Sequence, residues 1–390
     1  MRIAIINTLY APNQIGGAEK SVQALAENFV LTGNKVIVIC LGKEASSYLL
    51  NDVIVEVLKI ENDYWPFELE NKKAYQKFSW HLKDASNTKY NNTISELLSR
   101  FNPSILFTNN LTGFSTKVWS IAHKLNIKIV HTLRDYYLQC PSTTKFKNNL
   151  NCDKTCLNCK LLSIPKKTDA NKVDYVIGIS KFILKDHINN GYFKNIPNKV
   201  IYNGFDITNN RISETKDTLV FGFIGQINRS KGIELLLESF SKIKKNQTWK
   251  LLIAGTIEQE YLNFLKTINN SNQIEFLGYT KSDLFFNQID VLIVPSLWNE
   301  PFGRVVFESI MNKKPVIASN KGGLSELLSN NKKYLFNPVE KELTKLLKKI
   351  IVDSTFLNNF LFDESFIEEF KIEKTAHQYL AVFEEVLINK

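Results

Sequence analysis

Two glutamates with seven residues between them, Glu300 and Glu308, flank a Pro-Phe-Gly turn in the run Asn299-Glu300-Pro301-Phe302-Gly303-Arg304-Val305-Val306-Phe307-Glu308. The run follows Asp290-Val291-Leu292-Ile293-Val294-Pro295-Ser296, whose apolar centre reads as a buried parallel strand. Val305, Val306 and Ile310 recur at helical spacing behind the turn. Pro301 can take the first helical position, where a missing N–H costs nothing, and Gly303 lets backbone approach a ligand. Glu300 is thus expected in a loop at the end of a strand, and Glu308 in the helix that follows. Free N–H groups at a helix start bind anions, and carboxylates accept hydrogen bonds from hydroxyls. A nucleotide sugar supplies both, a diphosphate and hydroxyls. Two acidic residues at a solvated helix start would look the same in isolation, so the rest of the chain has to decide.

Two more loops have the composition of phosphate sites. Gly225-Gln226-Ile227-Asn228-Arg229-Ser230-Lys231-Gly232 follows an apolar strand and opens a helical pattern. Its glycines allow close approach, and Arg229 and Lys231 can neutralise phosphate. It is not a Gly-x-x-x-x-Gly-Lys-Ser/Thr loop, because the lysine precedes its glycine. Asn320-Lys321-Gly322-Gly323-Leu324-Ser325-Glu326 is a further glycine loop after a strand. Three such loops at strand ends of one sheet match the edge at which open α/β sheets bind ligands.

The elements that must position these loops form two series. Arg2 to Asn7 reads as a strand that leads through the Gly16-Gly17 loop to a helix from about Ala18, with Val22, Leu25, Ala26 and Phe29 on one face and Gly33 as its stop. Lys35 to Cys40 is the next strand, which completes a right-handed crossover unit. Further strands are expected near 53–58, 104–108, 128–131, 175–179 and 199–202. The polar stretch 206–216 reads as a linker. A second series follows, with strands near 219–224, 250–254, 273–277, 290–294 and 315–318. The expected division is a first domain over 1–205, the linker, a second domain over 217–365, and a terminal helix in 366–390 that packs back on the first domain.

Bulk composition agrees with this organisation. The chain has 390 residues, 44% hydrophobic and 23% charged, which is ordinary for a protein with sizeable cores. The net charge of +10 suits a phosphorylated ligand or an anionic membrane surface. No like-charge block or nucleic-acid recognition motif accompanies it, so no nucleic-acid partner is expected. No run reaches the length of a membrane span and the N-terminus lacks an export core, so the expected location is cytoplasmic, with reduced cysteines. The aromatic and lysine residues between Trp65 and Tyr90 would suit peripheral contact with the inner face of the cell membrane.

The ordered set of motifs resembles the retaining glycosyltransferases of family 4. It comprises GGAE near the start, SKFI, NGFD, the Gly-to-Lys-Gly loop, the strand ending in Pro-Ser, Glu-x7-Glu with Pro-Phe-Gly inside, PVIAS, and Gly-Gly-x-x-Glu, and it spans about Met1 to Glu326. The resemblance implies a GT-B fold of two Rossmann-like domains facing each other across a cleft, with the acceptor on the first and a UDP- or GDP-sugar on the second. It implies that Glu308 holds the ribose hydroxyls and Glu300 the donor sugar. Lys231 with a basic partner would bind the diphosphate, and the Gly16-Gly17 loop would close over it. Gly225, Phe302, Gly303 and Arg304 fall in the donor-binding motifs. The implied reaction is retaining transfer to a glycan or lipid-linked acceptor in surface polysaccharide synthesis. With no Asp-x-Asp triplet, Arg229, Lys231 and the helix start would replace a metal ion, so no catalytic cofactor is expected. The alternative is an inactive nucleotide-sugar sensor with the same pockets.

Two departures stand out. The family places arginine directly after the loop glycine; here that position is Gln226, and Arg229 is the candidate substitute. The family also carries a His-Asp pair after a strand of the first domain; here Arg134-Asp135 stands there, with His131 upstream. Which of His131 and Arg134 approaches the reacting carbons is open, and a lone histidine near a strand end also reads as a packed or capping group; His131 joins the candidate catalytic set with Glu300, Lys231 and Arg229. Finally, Cys140, Cys152, Cys156 and Cys159 have a spacing compatible with a structural zinc, although free thiols or a redox pair fit as well. Cys40 falls in a strand and reads as core.

Overall fold

The computed structural model describes residues 1–67, 72–205, 218–244 and 248–388. The expected linker at 206–216 lies outside the described residues. The strands are β1 (Arg2–Ile6), β2 (Lys35–Gly42), β3 (Ser46–Leu50), β4 (Val53–Lys59), β5 (Ile105–Thr108), β6 (Lys128–Leu133), β7 (Phe146–Lys147), β8 (Leu150–Asn151), β9 (Tyr175–Gly178), β10 (Asn198–Val200), β11 (Leu219–Ile224), β12 (Trp249–Ala254), β13 (Ile274–Gly278), β14 (Val291–Val294), β15 (Val316–Ser319) and β16 (Leu335–Phe336). The chain divides into two compact units. Unit 1 is Met1–Lys145, Cys152–Asp206 and Glu369–Lys390; unit 2 is Phe146–Asn151 and Ile207–Glu368.

Unit 1 is built on one sheet in the order β10-β9-β6-β5-β1-β2-β4-β3. Its pairings are parallel except at the edge, where β3 runs antiparallel to β4. Parallel strands covered on both faces must be apolar along their length, and Ile3, Ala4, Ile5 and Ile6 of β1 are fully buried. The helix Gly17–Leu31 buries Val22, Leu25, Ala26 and Phe29 against this sheet. The helix Ile372–Ile388, far along the chain, contributes Ala376, Tyr379, Val382 and Phe383 to the same core. Phe383 meets Phe29 at 5.6 Å and Phe107 of β5 at 5.4 Å between ring centroids. The Tyr379 hydroxyl pairs with Thr132 of β6 at 3.3 Å. Phe205 N donates to Phe370 O and Ile372 N to Phe205 O, which fixes the entry of that helix.

Unit 2 has a six-stranded sheet in the order β13-β12-β11-β14-β15-β16, parallel throughout. Beginning with β11, chain order runs outward on one side as β11, β12, β13 and then restarts on the other as β14, β15, β16. This is the order of a dinucleotide-binding sheet, and its reversal point lies between β11 and β14. In open α/β sheets the carboxyl ends of the strands at such a reversal point are where ligands bind. Among the described residues, no helix is long and apolar enough to cross a membrane.

Candidate active site

The reversal point of unit 2 brings the two principal sequence candidates together. Lys231 leaves the β11 loop and Glu300 the β14 loop, and Lys231 Nζ stands 2.6 Å from Glu300 Oε1. Ser296 Oγ, at the end of β14, donates to the same oxygen at 2.7 Å. The Lys231 ammonium also lies 5.1 Å from the Trp298 ring centroid. Glu300 is buried. Burial by itself would push its carboxyl up, but the Lys231 charge, with hydrogen bonds from Lys231 and Ser296, outweighs burial and holds it below the ordinary value. The carboxylate therefore stays ionised and desolvated beside a cation.

Backbone chemistry explains how the sequence achieves this approach. Asn228 caps the short turn Arg229–Lys231 by accepting from Lys231 N at 3.2 Å and from Ser230 Oγ at 2.7 Å. Gly232 ends that turn at φ +74°, and a Cβ there would fall 1.9 Å from Pro295 O, so only glycine lets the β11 loop lie against the end of β14. The two loops are then stitched together: Leu297 N and Trp298 N both donate to Ser230 O, at 2.9 and 3.3 Å. The Gly322-Gly323 loop supports Glu300 from another side. Gly323 N donates to Glu300 O at 2.7 Å. Gly322 sits at φ +56°, where a Cβ would fall 2.3 Å from Glu300 O.

The second glutamate occupies its own environment. Glu308 lies one turn into the helix Arg304–Met311, and its Oε1 accepts from Arg304 Nε at 2.7 Å. Ser282 Oγ donates to Oε2 at 3.3 Å. Phe302 is buried beneath the turn, and Gly303 caps the helix. Two local expectations are corrected here. Pro301 is not the first helical residue, because the helix starts after Gly303. Val305 is only half-buried, and Phe307 takes its place beside Val306 and Ile310 in the core.

Other candidates are placed differently. Arg229 is turned to Glu234, with Nε 2.9 Å from Oε1, and Tyr261 donates to the same oxygen at 2.9 Å. It is not held against Glu300 as Lys231 is. Gly225 directly follows β11, its N–H donating to Ala254 O at 3.0 Å. In unit 1, Gly16 and Gly17 open the first helix, where Gly16 N donates to Glu19 Oε2 at 2.8 Å. His131 has the packed environment that was one of its two readings: it is buried, its ring edge-on to Trp119 at 5.0 Å and its Nδ1 3.0 Å from Thr108 Oγ1. Burial, then the nearby His187 and Arg134, pull its pKa down to about 3, so it stays neutral. Arg134 sits at the carboxyl end of β6, with Nε on Asn109 Oδ1 at 2.7 Å and Nη1 on Asn203 Oδ1 at 2.6 Å. Burial raises the neighbouring Asp135 carboxyl to about 6, against the Tyr137 N–H that it accepts.

Three of the four candidate cysteines of unit 1 lie close to one another. Burial, hydrogen bonding to Cys156 and the charge of Cys140 push the Cys159 thiol up, so these three sulfurs are neighbours. Among the described residues, however, no group of three or more His, Cys, Asp or Glu side chains is arranged to hold a metal ion. Cys40 is buried in β2. Sequence reasoning named Ser296 only as a strand end and passed over Trp298; both lie within four residues of Glu300, and that nearness was the available signal.

Comparison with known proteins agrees with this geometry. The family model described as Glycosyltransferase Family 4 matches residues 15–209, and the one described as Glycosyl transferases group 1 matches residues 206–361. A Klebsiella pneumoniae protein described as an uncharacterized 42.6 kDa protein in the cps region is 35% identical over 332 residues, covering 84% of this chain and 87% of that protein. The N-acetylgalactosamine-N,N'-diacetylbacillosaminyl-diphospho-undecaprenol 4-alpha-N-acetylgalactosaminyltransferase of Campylobacter jejuni is 24% identical over 255 residues, 62% of this chain and 67% of that enzyme. Among solved structures, Anabaena HepE in complex with UDP and glucose matches with a TM-score of 0.70 and 18% identity, over 99% of this chain and 100% of that one. The chain belongs to the family 4 glycosyltransferases and has their GT-B fold of two Rossmann-like units.

Proposed function

We propose that this glycosyltransferase moves a sugar, with retention of anomeric configuration, from a UDP- or GDP-sugar to a glycan or lipid-linked acceptor in surface polysaccharide synthesis. The observation behind this reading is the Lys231–Glu300 pair at the reversal point of the unit 2 sheet. In the reaction the bond between the anomeric carbon and the diphosphate oxygen breaks as the acceptor oxygen attacks the same face. The acceptor proton passes to the departing phosphate oxygen. Negative charge grows on the diphosphate, where Lys231 and the helix N–H groups behind Gly303 stabilise it. Glu300 binds the sugar hydroxyls and Glu308 those of the ribose. The sequence has no Asp-x-Asp triplet, which supports a reaction without a divalent cation.

HepE, whose structure holds UDP and glucose, and the Campylobacter enzyme, named for a diphospho-undecaprenol acceptor, support the donor and acceptor classes. The test is a thermal-shift screen of UDP- and GDP-sugars followed by a transfer assay with the stabilising donor in EDTA. The expected result is a rise in Tm with one nucleotide family and turnover that survives chelation. Binding with no turnover on any acceptor would favour the sensor reading.

Peripheral membrane contact belongs to the same proposal. The helix Ala74–Asp84 buries Trp80 but leaves Tyr75, Phe78 and Leu82 exposed on one face, with Lys73 and Lys77 beside them. An apolar stripe flanked by lysines suits an anionic lipid surface. In liposome flotation the protein is expected to rise with anionic vesicles and to be released by salt. Absence from the lipid fraction at every salt concentration would reject the contact.

A further inference from the structure

A segment from the first half of the chain folds with unit 2. The two-residue turn Asn148-Asn149, both at positive φ (52° and 60°), closes β7 and β8 into a tight antiparallel hairpin. Asparagine is among the few residues that adopt this backbone readily. The base of the hairpin is closed by Cys152 N donating to Lys145 O at 2.7 Å. Its last residue, Asn151, grips the loop that leads to Glu300. Asn151 Nδ2 donates to Leu297 O at 2.8 Å, and Asn151 Oδ1 accepts from Asn299 N at 2.8 Å.

We infer that Asn151 is a positioning residue for Glu300. The backbone from Leu297 to Glu300 is held on three sides: by Ser230 O at the amides of 297 and 298, by Gly323 N at the carbonyl of 300, and by the Asn151 amide between them. The first two supports come from the glycine loops of the sheet. The third comes from a hairpin distant in sequence. A carboxamide offers a donor and an acceptor at one reach, and both are used here. Removing it takes away one hydrogen bond at the carbonyl of 297 and one at the amide of 299, immediately before the buried carboxylate. An error of about 1 Å in a group that orients a sugar can cost roughly a hundredfold in rate.

The inference rests on the reading of Glu300 as a sugar-binding group, and its test separates the two. In Asn151→Ala, kcat/KM for the donor sugar is expected to fall about 10- to 100-fold, while the affinity for UDP or GDP alone stays within about twofold. Asn151→Asp keeps the acceptor for Asn299 N but sets a carboxylate against Leu297 O. Protonation of that carboxylate restores a donor, so the activity of Asn151→Asp relative to the unaltered protein is expected to rise as pH falls from 7 to 5. Backbone hydrogen exchange gives a readout that needs no turnover: the Asn299 amide is expected to exchange severalfold faster in Asn151→Ala. Unchanged exchange together with kcat/KM within twofold would overturn the inference. If the unaltered protein transfers no sugar, the transferase reading fails, and exchange at Asn299 still decides whether Asn151 holds the loop.

Discussion

Glu300→Gln is expected to lower the rate of sugar transfer by about 10²- to 10³-fold, with the affinity for nucleotide alone changed by less than about threefold. Glutamine fills the same space and can still accept from Ser296 Oγ and Lys231 Nζ. What it removes is the buried negative charge. A glutamate that merely held the loop would tolerate the exchange, whereas one that binds sugar hydroxyls as they polarise would not. More than a tenth of the original rate in Glu300→Gln would take Glu300 out of the sugar site. Stability gives an independent reading. The folded-state carboxyl lies below its ordinary value of 4.5. Its contribution is therefore fully present above that value and is lost as pH falls through the lower folded one. The difference in Tm between the two proteins should be flat from pH 6 to 8 and should shrink below about pH 4.5, which calorimetry at pH 7 and pH 4 can measure.

Phe383→Ala should destabilise unit 1 by about 3–5 kcal/mol, the usual range for truncating a buried phenylalanine. Phe383 is fully buried among Phe29, Phe107 and Tyr379. Its removal leaves a hole between the first helix and β5 that rigid neighbours cannot close. Urea denaturation followed by a probe in unit 1 measures the loss. Ile388→Ala at the exposed end of the same helix is the control and should stay within about 0.5 kcal/mol. A loss below about 1 kcal/mol in Phe383→Ala would mean that the helix is an appendage to the core rather than part of it.

The fold class was legible because parallel strands buried on both faces announce themselves as short apolar runs. Ile3 to Ile6 and Val291 to Val294 are such runs, and each is a central strand. β3, which alternates exposed and half-buried residues at a sheet edge, gave no comparable signal and was missed. Glu300 and Lys231 could be found because glycine, proline and charge cluster after their strands. Their convergence on one ligand was expected from loops sharing a sheet edge; their direct ion pair was not, since it depends on β11 and β14 becoming neighbours although β12 and β13 lie between them in sequence. His131 was ambiguous for the opposite reason. A histidine near a strand end suggests chemistry, but its place is set by Trp119 and Phe193, which pack around it from elsewhere in the chain. Asn151 offered no pattern at all: it is one asparagine among several in a Lys/Asn-rich stretch, and its partners lie beyond residue 290.

The helix Ile372–Ile388 also constrains the order of events during synthesis. Ribosomes release a chain from its N-terminus, so β1 to β10 emerge long before Tyr379 and Phe383 exist. Until those side chains arrive, an apolar groove over Phe29 and Phe107 stands open, although unit 2, which ends at Glu368, already has all of its residues. The half made first is the half finished last, and a chain ended after residue 368 would leave that apolar groove uncovered.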